Sequence, residues 1–413
     1  MGHPVLPEPI VIDAAAQAAV MMQEFHTELI AIADWWATYS PDLERGGFYG
    51  EIDAGNRPVN DASKGIILNA RILWFFSEVA QQLDDLRYRD CAQRAYDYLV
   101  THFFDAEFGG VYWELDAAGN PINTKKQIYA QAFTIYALVA YFELTKDEQV
   151  LVRALECFEL VERYGIDPIN EGYLEAFTRE WKPIDDLRLS EKDLNYPKSQ
   201  NTHLHIMEAY TTLHQAHPAP GIRAALEYNI RMFDRYMIDR SSHHLRMFMD
   251  LQWNDFSPGY TYGHDIEASW LIAKALESLG DEHYTRALTP TLLKVAEVTL
   301  NEAVGCYGQV IDSYDRATQT ANTDTTWWVQ AEALVGFLYA YATSGEQRFF
   351  TAAVNVWEFI KQYQIDHQKG EWFWLSNLDK PDQYSYYKVG FWKCPYHNGR
   401  AMMEAIRYLQ THS

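Results

Sequence analysis

Three histidines stand where the sequence predicts the first turn of a helix, and their side chains could move protons. They are His203, His264 and His397, although only 14 of the 413 residues are histidine. The positive end of a helix dipole disfavours an imidazolium, so such a histidine tends to be neutral near pH 7 and able to accept a proton. Two such bases on opposite sides of a carbon could remove a proton from one face and return one to the other. The pattern predicts the chemistry of an epimerase or isomerase.

Other polar and aromatic side chains stand at equivalent places in the remaining predicted helices. They are Asn69, Arg71, Tyr129, Asn201, His205, Glu267, Trp327, Trp328, Tyr396 and Asn398. Taken singly, a histidine near a helix start is usually a cap, and paired tryptophans usually belong to the core. An arginine is a structural ion-pair partner about as often as it is a functional residue. Gathered at one mouth, these side chains predict a polar pocket with aromatic walls, which suits stacking on the apolar faces of sugars.

Two other kinds of chemistry remain open at this point. His264 and Glu267 lie three residues apart on one helical face, and with the other two histidines they could hold zinc. Glycoside hydrolysis needs a pair of carboxylates flanking the bond. Carboxylates in the long connectors that could serve are Asp185, Asp186, Asp193 and Asp324. The zinc pattern is short, and neither GxxxxGK nor GxGxxG occurs, so we expect no metal and no cofactor.

Helical periodicity supplies the elements that must position these residues. Apolar residues recur at i, i+3, i+4 and i+7 in about twelve segments of helical length. The predicted helices are 13–39, 64–83, 86–104, 125–144, 147–164, 200–215, 219–237, 264–279, 283–303, 325–344, 346–365 and 393–411. Short turns join helices into hairpins, and connectors of about 20 to 30 residues separate the hairpins.

The long connectors resemble one another. Segments 45–53 and 108–116 share a Gly-Gly pair, alternating residues and a following Gly-Asn turn, and 171–176 repeats the pattern without the second glycine. Each predicts a short β-hairpin. Weaker copies stand at 243–256, 305–318 and 370–381. Six units of about 69 residues predict an internal repeat of helix pairs.

The end of the chain favours closure of these repeats into a ring. The last unit of an open solenoid should be polar, yet here it is among the most aromatic, with Trp372, Trp374, Phe391 and Trp392. We therefore predict an all-α (α/α)6 barrel of twelve helices, with the β-hairpins at one mouth. The whole chain, 1–413, would form this single domain.

The balance of charge excludes several kinds of partner. The chain has 34 Lys and Arg against 57 Asp and Glu, a net charge of −23. Such a surface repels phosphate backbones and anionic lipid, so we expect neither nucleic acid nor a membrane as a partner. Apolar runs reach about ten residues, whereas a membrane helix needs about 20.

Cysteine usage and the first residues bear on the compartment. The four cysteines have no CxxC or zinc spacing. Residues 1–25 contain no Lys or Arg, so the charged start of a signal peptide is missing. We expect a cytoplasmic protein, soluble and monomeric or weakly dimeric.

Five ordered blocks of sequence resemble the N-acylglucosamine 2-epimerase superfamily, and most closely its cellobiose 2-epimerases. The blocks are 64–74, 201–205, 263–270, 327–334 and 391–400. The resemblance extends over nearly the whole chain. It implies an (α/α)6 barrel without a metal that acts at C2 of the reducing-end glucose of a β-1,4-linked disaccharide. Cellobiose would become glucosyl-mannose, and lactose would become epilactose.

The resemblance also implies a role for each site residue. His264 and His397 would be the acid–base pair that removes and returns the C2 proton through a cis-enediolate, and Arg71 would stabilise that enediolate. The other contributors would be Tyr129, Asn201, His203, Trp328 and Trp392 as contacts to the sugars, and Glu267 as a support for His264. Trp328 is preferred to Trp327 because it lies one helical turn before Glu332, on the same face.

Several alternatives remain beside this interpretation. N-acylglucosamine 2-epimerase and mannose isomerase would use the same barrel and histidines. The block 395–400 is similar to the disaccharide enzymes, whereas the N-acylglucosamine branch typically has a His-Val-Pro-Arg-like end. Cys394 stands where related enzymes often have glycine. An (α/α)6 glycoside hydrolase that uses the connector carboxylates, and a sugar-binding barrel without catalysis, belong to other classes.

Overall fold

The computed structural model describes residues 14–378 and 385–411, and these ranges contain twelve α-helices. The helices are α1 Ala14–Tyr39, α2 Ile66–Leu83, α3 Leu86–Tyr98, α4 Ile128–Thr145, α5 Glu148–Leu160, α6 Gln200–Ala216, α7 Pro220–Met232, α8 Tyr262–Leu279, α9 Glu282–Ala303, α10 Trp327–Ser344, α11 Gln347–Phe359 and α12 Tyr396–Thr411. The prediction of one domain over 1–413 also includes residues 1–13, 379–384 and 412–413, which lie outside the described residues.

The even-numbered helices form a closed inner ring. Each packs on the next, from α2 through α4, α6, α8 and α10 to α12, and α12 packs on α2. The outer helices α3, α5, α7, α9 and α11 each pack on the inner helix that precedes them, and α1 packs on α12. The first and last helices therefore close the barrel, and the predicted (α/α)6 architecture is confirmed.

Burial distinguishes the two rings. In α4 every residue from Ile128 to Phe142 is buried, as expected for a helix enclosed by neighbours on all sides. In α3, by contrast, five of the 13 residues are buried, on one face. The outer helices α3, α5, α7 and α11 each continue into one π-helical turn before their connector begins. The inner helix α4 is thus enclosed on all sides, whereas the outer helix α3 packs through one face.

The short turns between hairpin partners have a common construction. Asp84, Lys146, Gly280 and Gly345 end the inner helices in the left-handed conformation. An acidic residue follows each of them, and in three cases its side chain caps the next helix; Asp85, for example, accepts from the Arg87 N–H. A left-handed residue followed by a cap reverses the chain within two residues.

Short strands in the connectors surround one mouth. They are β1 Lys64–Gly65, β2 Glu114–Leu115, β3 Pro121–Asn123, β4 Lys126–Gln127, β5 Ala176–Phe177, β6 Lys198–Ser199, β7 Phe248–Met249, β8 Gly259–Thr261, β9 Ser313–Asp315 and β10 Thr320–Asn322. The sheets are antiparallel, with orders β1-β2-β3, β4-β5, β6-β7 and β10-β9-β8.

Isolated antiparallel bridges within one connector, such as Ile52–Pro58, Phe177–Pro183 and Met249–Asp255, agree with the predicted hairpins, but most of the longer strand pairs do not. Only β2-β3 and β9-β10, among the described strands, pair within one connector; the other pairs join one connector to the next. The strands directly before α2, α4, α6 and α8 thereby each pair with a strand from the following unit. The last predicted hairpin, 370–381, ends outside the described residues.

A buried lysine fastens four of the connectors. The pairs, with their Nζ–Oδ distances, are Lys64–Asp42 at 2.9 Å, Lys126–Asp105 at 3.0 Å, Lys198–Asp167 at 2.9 Å and Lys388–Asp366 at 2.8 Å. An aromatic ring lies over each ammonium, at centroid distances of 4.5 to 5.9 Å. The repeat that the sequence shows as glycine and aromatic patterns is therefore also a repeat of buried ion pairs.

Within the described ranges, no helix combines the length and the apolar character that crossing a bilayer requires.

Candidate active site

Two positions of the inner helices supply most of the predicted site. The second residues are Tyr129 in α4, Asn201 in α6, Trp328 in α10 and His397 in α12. The sixth residues are Arg71 in α2, His205 in α6, Glu267 in α8 and Glu332 in α10. Positions two and six are four residues apart, so they lie one turn apart on the same helical face. That face carries the side chains of the site.

The fourth position of the inner helices has a different task. The Gln131 and Gln330 amides each bind both the N–H and the C=O of one connector residue, Val111 and Val310 respectively. Asp265 accepts the N–H of a connector residue in α8's unit in the same way. Because position four is turned by about 200° from position two, its side chain faces the connector behind the helix. These hydrogen bonds fix the position of three connectors along α4, α8 and α10.

His203 is the fourth residue of α6 and belongs to this second set. Its Nε2 accepts the Tyr173 N–H at 2.9 Å, and its Nδ1 lies 2.7 Å from the Ser199 carbonyl oxygen. The ring is fully buried, and both nitrogens are bound to backbone. The predicted contact of His203 with the substrate therefore does not fit the structure.

His205 takes the place that was expected for His203. It lies four residues after Asn201, and its ring is 5.1 Å from the Tyr129 ring. Its Nδ1 is 2.9 Å from Oε2 of Glu208, which anchors the ring from below. The i, i+4 spacing from Asn201 was the sequence signal that separates the two histidines.

His264 and His397, the predicted acid–base pair, both stand beside the Trp328 ring. The ring centroids lie 4.8 Å from His264 and 5.6 Å from His397. His264 Nδ1 is 2.6 Å from the Thr261 hydroxyl, and His397 Nδ1 is 2.6 Å from Oε1 of Glu332. Each Nδ1 is thus engaged, which leaves each Nε2 for a ligand.

Burial sets the charge state of these two histidines. It lowers the pKa of His264 to about 4, and the negative charge of Glu267 opposes part of that shift. Burial also holds the pKa of His397 well below its usual range, with the positive charges of Arg71 and Arg400 acting in the same direction. Both rings are therefore neutral at pH 7. The sequence predicted this state from the helix dipole, but desolvation is the larger cause.

Arg71 is a buried cation without a carboxylate partner among the described residues. Its Nη2 donates to the Tyr129 hydroxyl at 2.9 Å, and its guanidinium lies 4.2 Å from the Phe133 ring centre and 4.4 Å from that of Tyr396. The Nε–H is buried and has no acceptor in the part of the chain that the structure describes. Nη1 lies 3.9 Å from the Cys394 sulfur. This charge is available to an anion.

The Glu267 carboxylate is hydrogen-bonded to Arg400. Its Oε1 accepts from Arg400, and its Oε2 is buried without a hydrogen-bond partner among the described residues. It reaches His264 through its charge and not through a hydrogen bond. The sequence did not single out Glu332 or Arg400 as site residues. The Glu332 carboxylate binds His397, and Arg400 donates to that carboxylate.

The two tryptophans at the start of α10 have different neighbours. Trp328 contacts the two histidines and is half-buried, whereas Trp327 is buried and its ring lies 4.4 Å from that of Trp374. Trp392 is half-buried, with its ring 6.1 Å from Tyr129. Trp328 and Trp392 therefore offer partly open aromatic surfaces.

A cleft leads from His264 to the connector before α6. Asn201, His264, Asp193 and Tyr196 are among the residues that line it. Asp193 accepts hydrogen bonds from the N–H and hydroxyl of Ser190. The connector carboxylates considered for hydrolysis are thus engaged in part by their own loop, and Asp186 is likewise paired with Arg188, Oδ1 to Nε at 2.8 Å.

One cluster in the described part of the chain has ligand atoms close enough for a cation. Single atoms of Glu267, Glu332 and His397 lie within 4.8 Å of one another. Nη2 of Arg400 already bonds both carboxylates, so a guanidinium supplies the positive charge there. His203, one of the two further zinc ligands considered from the sequence, has both nitrogens bound to backbone.

Comparison with known proteins agrees with this geometry. The profile of the N-acylglucosamine 2-epimerase (GlcNAc 2-epimerase) family matches residues 47–397. The cellobiose 2-epimerase of Bacteroides fragilis is 41% identical over 388 residues, which are 94% of this chain and 99% of that protein. That of Ruminococcus albus is 37% identical over 389 residues, 94% of this chain and 98% of its own.

A solved structure extends the similarity to three dimensions. The cellobiose 2-epimerase from Bacillus thermoamylovorans B4167 superimposes with a TM-score of 0.89 at 34% identity, and the match covers 94% of this chain and 99% of that one. The sequence relatives and the solved structure are thus proteins of the same name, and each is matched over nearly its full length.

Proposed function

The chain belongs to the N-acylglucosamine 2-epimerase family and is an epimerase, and we propose that it inverts C2 of the reducing-end glucose of β-1,4-linked disaccharides. Cellobiose would give glucosyl-mannose, and lactose would give epilactose. The observation that carries the proposal is a buried Arg71 without a carboxylate partner in the described residues, beside histidines whose Nδ1 atoms are engaged. The names of the relatives support a disaccharide as the substrate.

The chemistry follows from the acidity of a proton next to a carbonyl. After the sugar ring opens, Nε2 of one histidine takes the C2 proton, and the C2–H electron pair forms the C1–C2 double bond while charge moves to O1. Rotation of this cis-enediolate presents its other face. The second histidine, neutral at rest, takes up a proton from water as the negative enediolate forms beside it and gives that proton to C2, and the carbonyl reforms. The first histidine then releases the C2 proton to water. No external oxidant or reductant is required, because atoms and electrons balance among the sugar, the two rings and water.

Arg71 has its largest effect at the enediolate. Charge develops on oxygen only during the reaction, and a fixed cation in a site shielded from water stabilises that charge more than it stabilises the neutral substrate. The guanidinium is held between the Phe133 and Tyr396 rings, so it need not reorganise as the charge forms. Tyr129, bonded to the same guanidinium, would share the contact with the sugar oxygens.

The remaining residues would bind the disaccharide. Trp328 and Trp392 would stack on the apolar faces of the sugars. Asn201 and His205, on one face of α6, would hydrogen-bond the reacting residue in the place first assigned to His203. Glu267 would act on His264 through its charge. We expect no metal to take part, since the two rings and Arg71 account for the proton and the charge.

The test is NMR of the chelator-treated protein with cellobiose in D2O. We expect glucosyl-mannose with deuterium at C2. His264→Ala and His397→Ala should each lower the rate by about 10²–10⁴-fold or more, and His26→Ala, an exposed histidine on α1, should not change it.

Other products would contradict the proposal in defined ways. Free glucose would indicate hydrolysis by connector carboxylates. Turnover of mannose or N-acetylmannosamine but not of cellobiose would show that the substrate is a monosaccharide, as for other enzymes of the family. Wild-type rates in both histidine variants would overturn the assignment of the acid–base pair, and binding of cellobiose without any turnover would indicate a sugar-binding barrel.

A further inference from the structure

Arg400 lies beneath the histidines, with 1% of its surface exposed. It is the fifth residue of α12, and its two Nη atoms donate to four acceptors. Nη1 donates to Oε1 of Glu208 and to the Tyr396 hydroxyl, and Nη2 donates to Oε1 of Glu267 and Glu332. One guanidinium therefore joins side chains from α6, α8, α10 and α12 across the barrel axis.

Two of these carboxylates also bind a histidine. Oε1 of Glu332, 2.7 Å from Arg400 Nη2, is also 2.6 Å from Nδ1 of His397. Glu208 has Oε1 on Arg400 and Oε2 2.9 Å from Nδ1 of His205. Arg400 is thus linked to two different imidazoles, each through one carboxylate that is hydrogen-bonded to both.

Without that cation, the carboxylates would not remain where the histidines need them. Glu208, Glu267 and Glu332 are all buried, and like charges at short range in a poorly solvated site repel strongly. Arg400 is the residue, among those described, that forms ion pairs with all three. A neutral residue in its place would lead these carboxylates to take up protons or to move apart.

Resting on the function proposed above, we propose that Arg400 is a positioning residue for the epimerisation. By holding Glu332 against His397 and Glu208 against His205, it keeps the proton of each imidazole on Nδ1 and leaves Nε2 to face the sugar. We expect Arg400 not to touch the substrate, because it lies beneath the histidines and its Nη atoms already donate to four acceptors.

The geometry requires arginine and not merely a positive charge. A planar fork can place two parallel donors on each side, whereas an ammonium cannot reach four acceptors spread over four helices. The guanidinium is also held between rings, 4.2 Å from the centre of Tyr396 and 4.7 Å from that of Trp270. Lysine should therefore restore part of the function, and methionine none of it.

The experiment measures kcat and KM for cellobiose together with the histidine tautomers. Arg400→Met should lower kcat by about 10²-fold, the scale of losses found when a residue orienting a functional histidine is removed, with KM changed less than about threefold. Arg400→Lys should fall between Arg400→Met and the wild type. Arg407→Met removes an arginine from the same helix that binds Glu404 and Glu78 and is half-exposed, so it should leave kcat unchanged.

Ring ¹⁵N NMR gives a readout that is independent of turnover. In the wild type, we expect His397 and His205 to carry their proton on Nδ1; in Arg400→Lys, we expect a mixture of tautomers. Thermal unfolding of each variant checks folding. If Arg400→Met does not fold, Glu332→Gln serves instead, with an expected loss of about tenfold in kcat and the same change of tautomer at His397.

Each outcome decides between the two proposals. Wild-type kcat and tautomers in folded Arg400 variants or in Glu332→Gln would overturn the positioning role, while a loss in His397→Ala would leave the epimerase proposal standing. A wild-type protein that does not epimerise cellobiose would overturn the substrate, and the tautomers would still decide the role of Arg400. Equal losses in kcat and in affinity would indicate a collapsed pocket and also contradict the positioning role.

Discussion

Arg71 and His397 illustrate, at the scale of single residues, how burial sets the charge that a side chain carries in this barrel. An arginine keeps its proton when buried, so Arg71 brings a positive charge into the site, between two aromatic rings. A histidine loses its proton under the same conditions, and the charges of Arg71 and Arg400 strengthen this effect on His397. Low solvation thus produces both a permanent cation and a neutral base.

The two histidines of α6 provide the sharpest test at this scale. His203 does what Gln131 and Gln330 do at the fourth position of their helices, which is to accept a connector N–H. We expect His203→Gln to keep kcat within about twofold and the unfolding temperature within about 4 °C, the shift that ~1 kcal/mol gives. His205→Gln should lower kcat by about 10²-fold with little change in unfolding temperature.

Steady-state kinetics and thermal unfolding of both variants check this expectation, each serving as the other's control. The opposite pattern, with His203→Gln inactive and His205→Gln active, would return the substrate contact to His203.

At the scale of elements, the sequence predicted what depends on local spacing. The helix pairs follow from apolar periodicity, and the choice of Trp328 over Trp327 follows from its spacing to Glu332. The same spacing applied to Asn201 would have selected His205. Arg400 and Glu332 could not be assigned in this way, because their contacts join residues that are 65 or more positions apart.

The strands mark the other limit of local prediction. The Gly-rich connectors indicate β structure, but they do not show which strand each one pairs with. Lys64 of β1, for example, pairs with Leu115 of β2 in the next unit. Such pairing depends on how the helices bring neighbouring connectors together, so it emerges only with the closed ring.

The buried lysines allow a prediction about the elements that they fasten. Lys198→Met removes the ammonium that pairs with Asp167, and it should lower the free energy of unfolding by about 3–5 kcal/mol, because a buried carboxylate loses its counter-charge. Lys126→Met should cost less, since Arg179 also binds Asp105, with Nε to Oδ2 at 2.9 Å.

Urea unfolding monitored by tryptophan fluorescence measures both changes. Lys294→Met, which removes an exposed lysine on α9, is the control and should cost under about 1 kcal/mol. Equal costs for the variants at 126 and 198 would show that Arg179 does not compensate.

At the scale of the whole molecule, closure of the ring explains why the site lies at one mouth. All six inner helices begin on the side of the long connectors, so their second and sixth residues meet around one axis. The first and last helices pack on each other, which makes the N- and C-terminal units neighbours. Arg71 from the first hairpin and Cys394 from the last connector therefore meet, although they are 323 residues apart.

The same closure makes the stability of the molecule depend on pH through its buried histidines. Burial lowers the pKa of His203 to about 3 and that of His264 to about 4, whereas an unfolded histidine has a pKa near 6.5. As the pH falls below about 6.5, the unfolded chain binds protons that the folded barrel does not. The free energy of unfolding therefore decreases as the pH is lowered from about 6.5 to about 3.

His203→Gln isolates one part of this effect without touching the cluster at the mouth. The variant lacks a proton that the wild-type chain gains on unfolding, so its free energy of unfolding should change with pH less steeply, by up to about 1.4 kcal/mol per pH unit between pH 6 and 4. The measurement is urea unfolding of both proteins at pH 7, 6, 5 and 4, with their difference plotted against pH. The two curves should run parallel above pH 7 and separate below 6.5 in favour of the variant. Parallel curves down to pH 4 would mean that His203 is protonated in the folded barrel, and hence that its Nε2 does not accept the Tyr173 N–H.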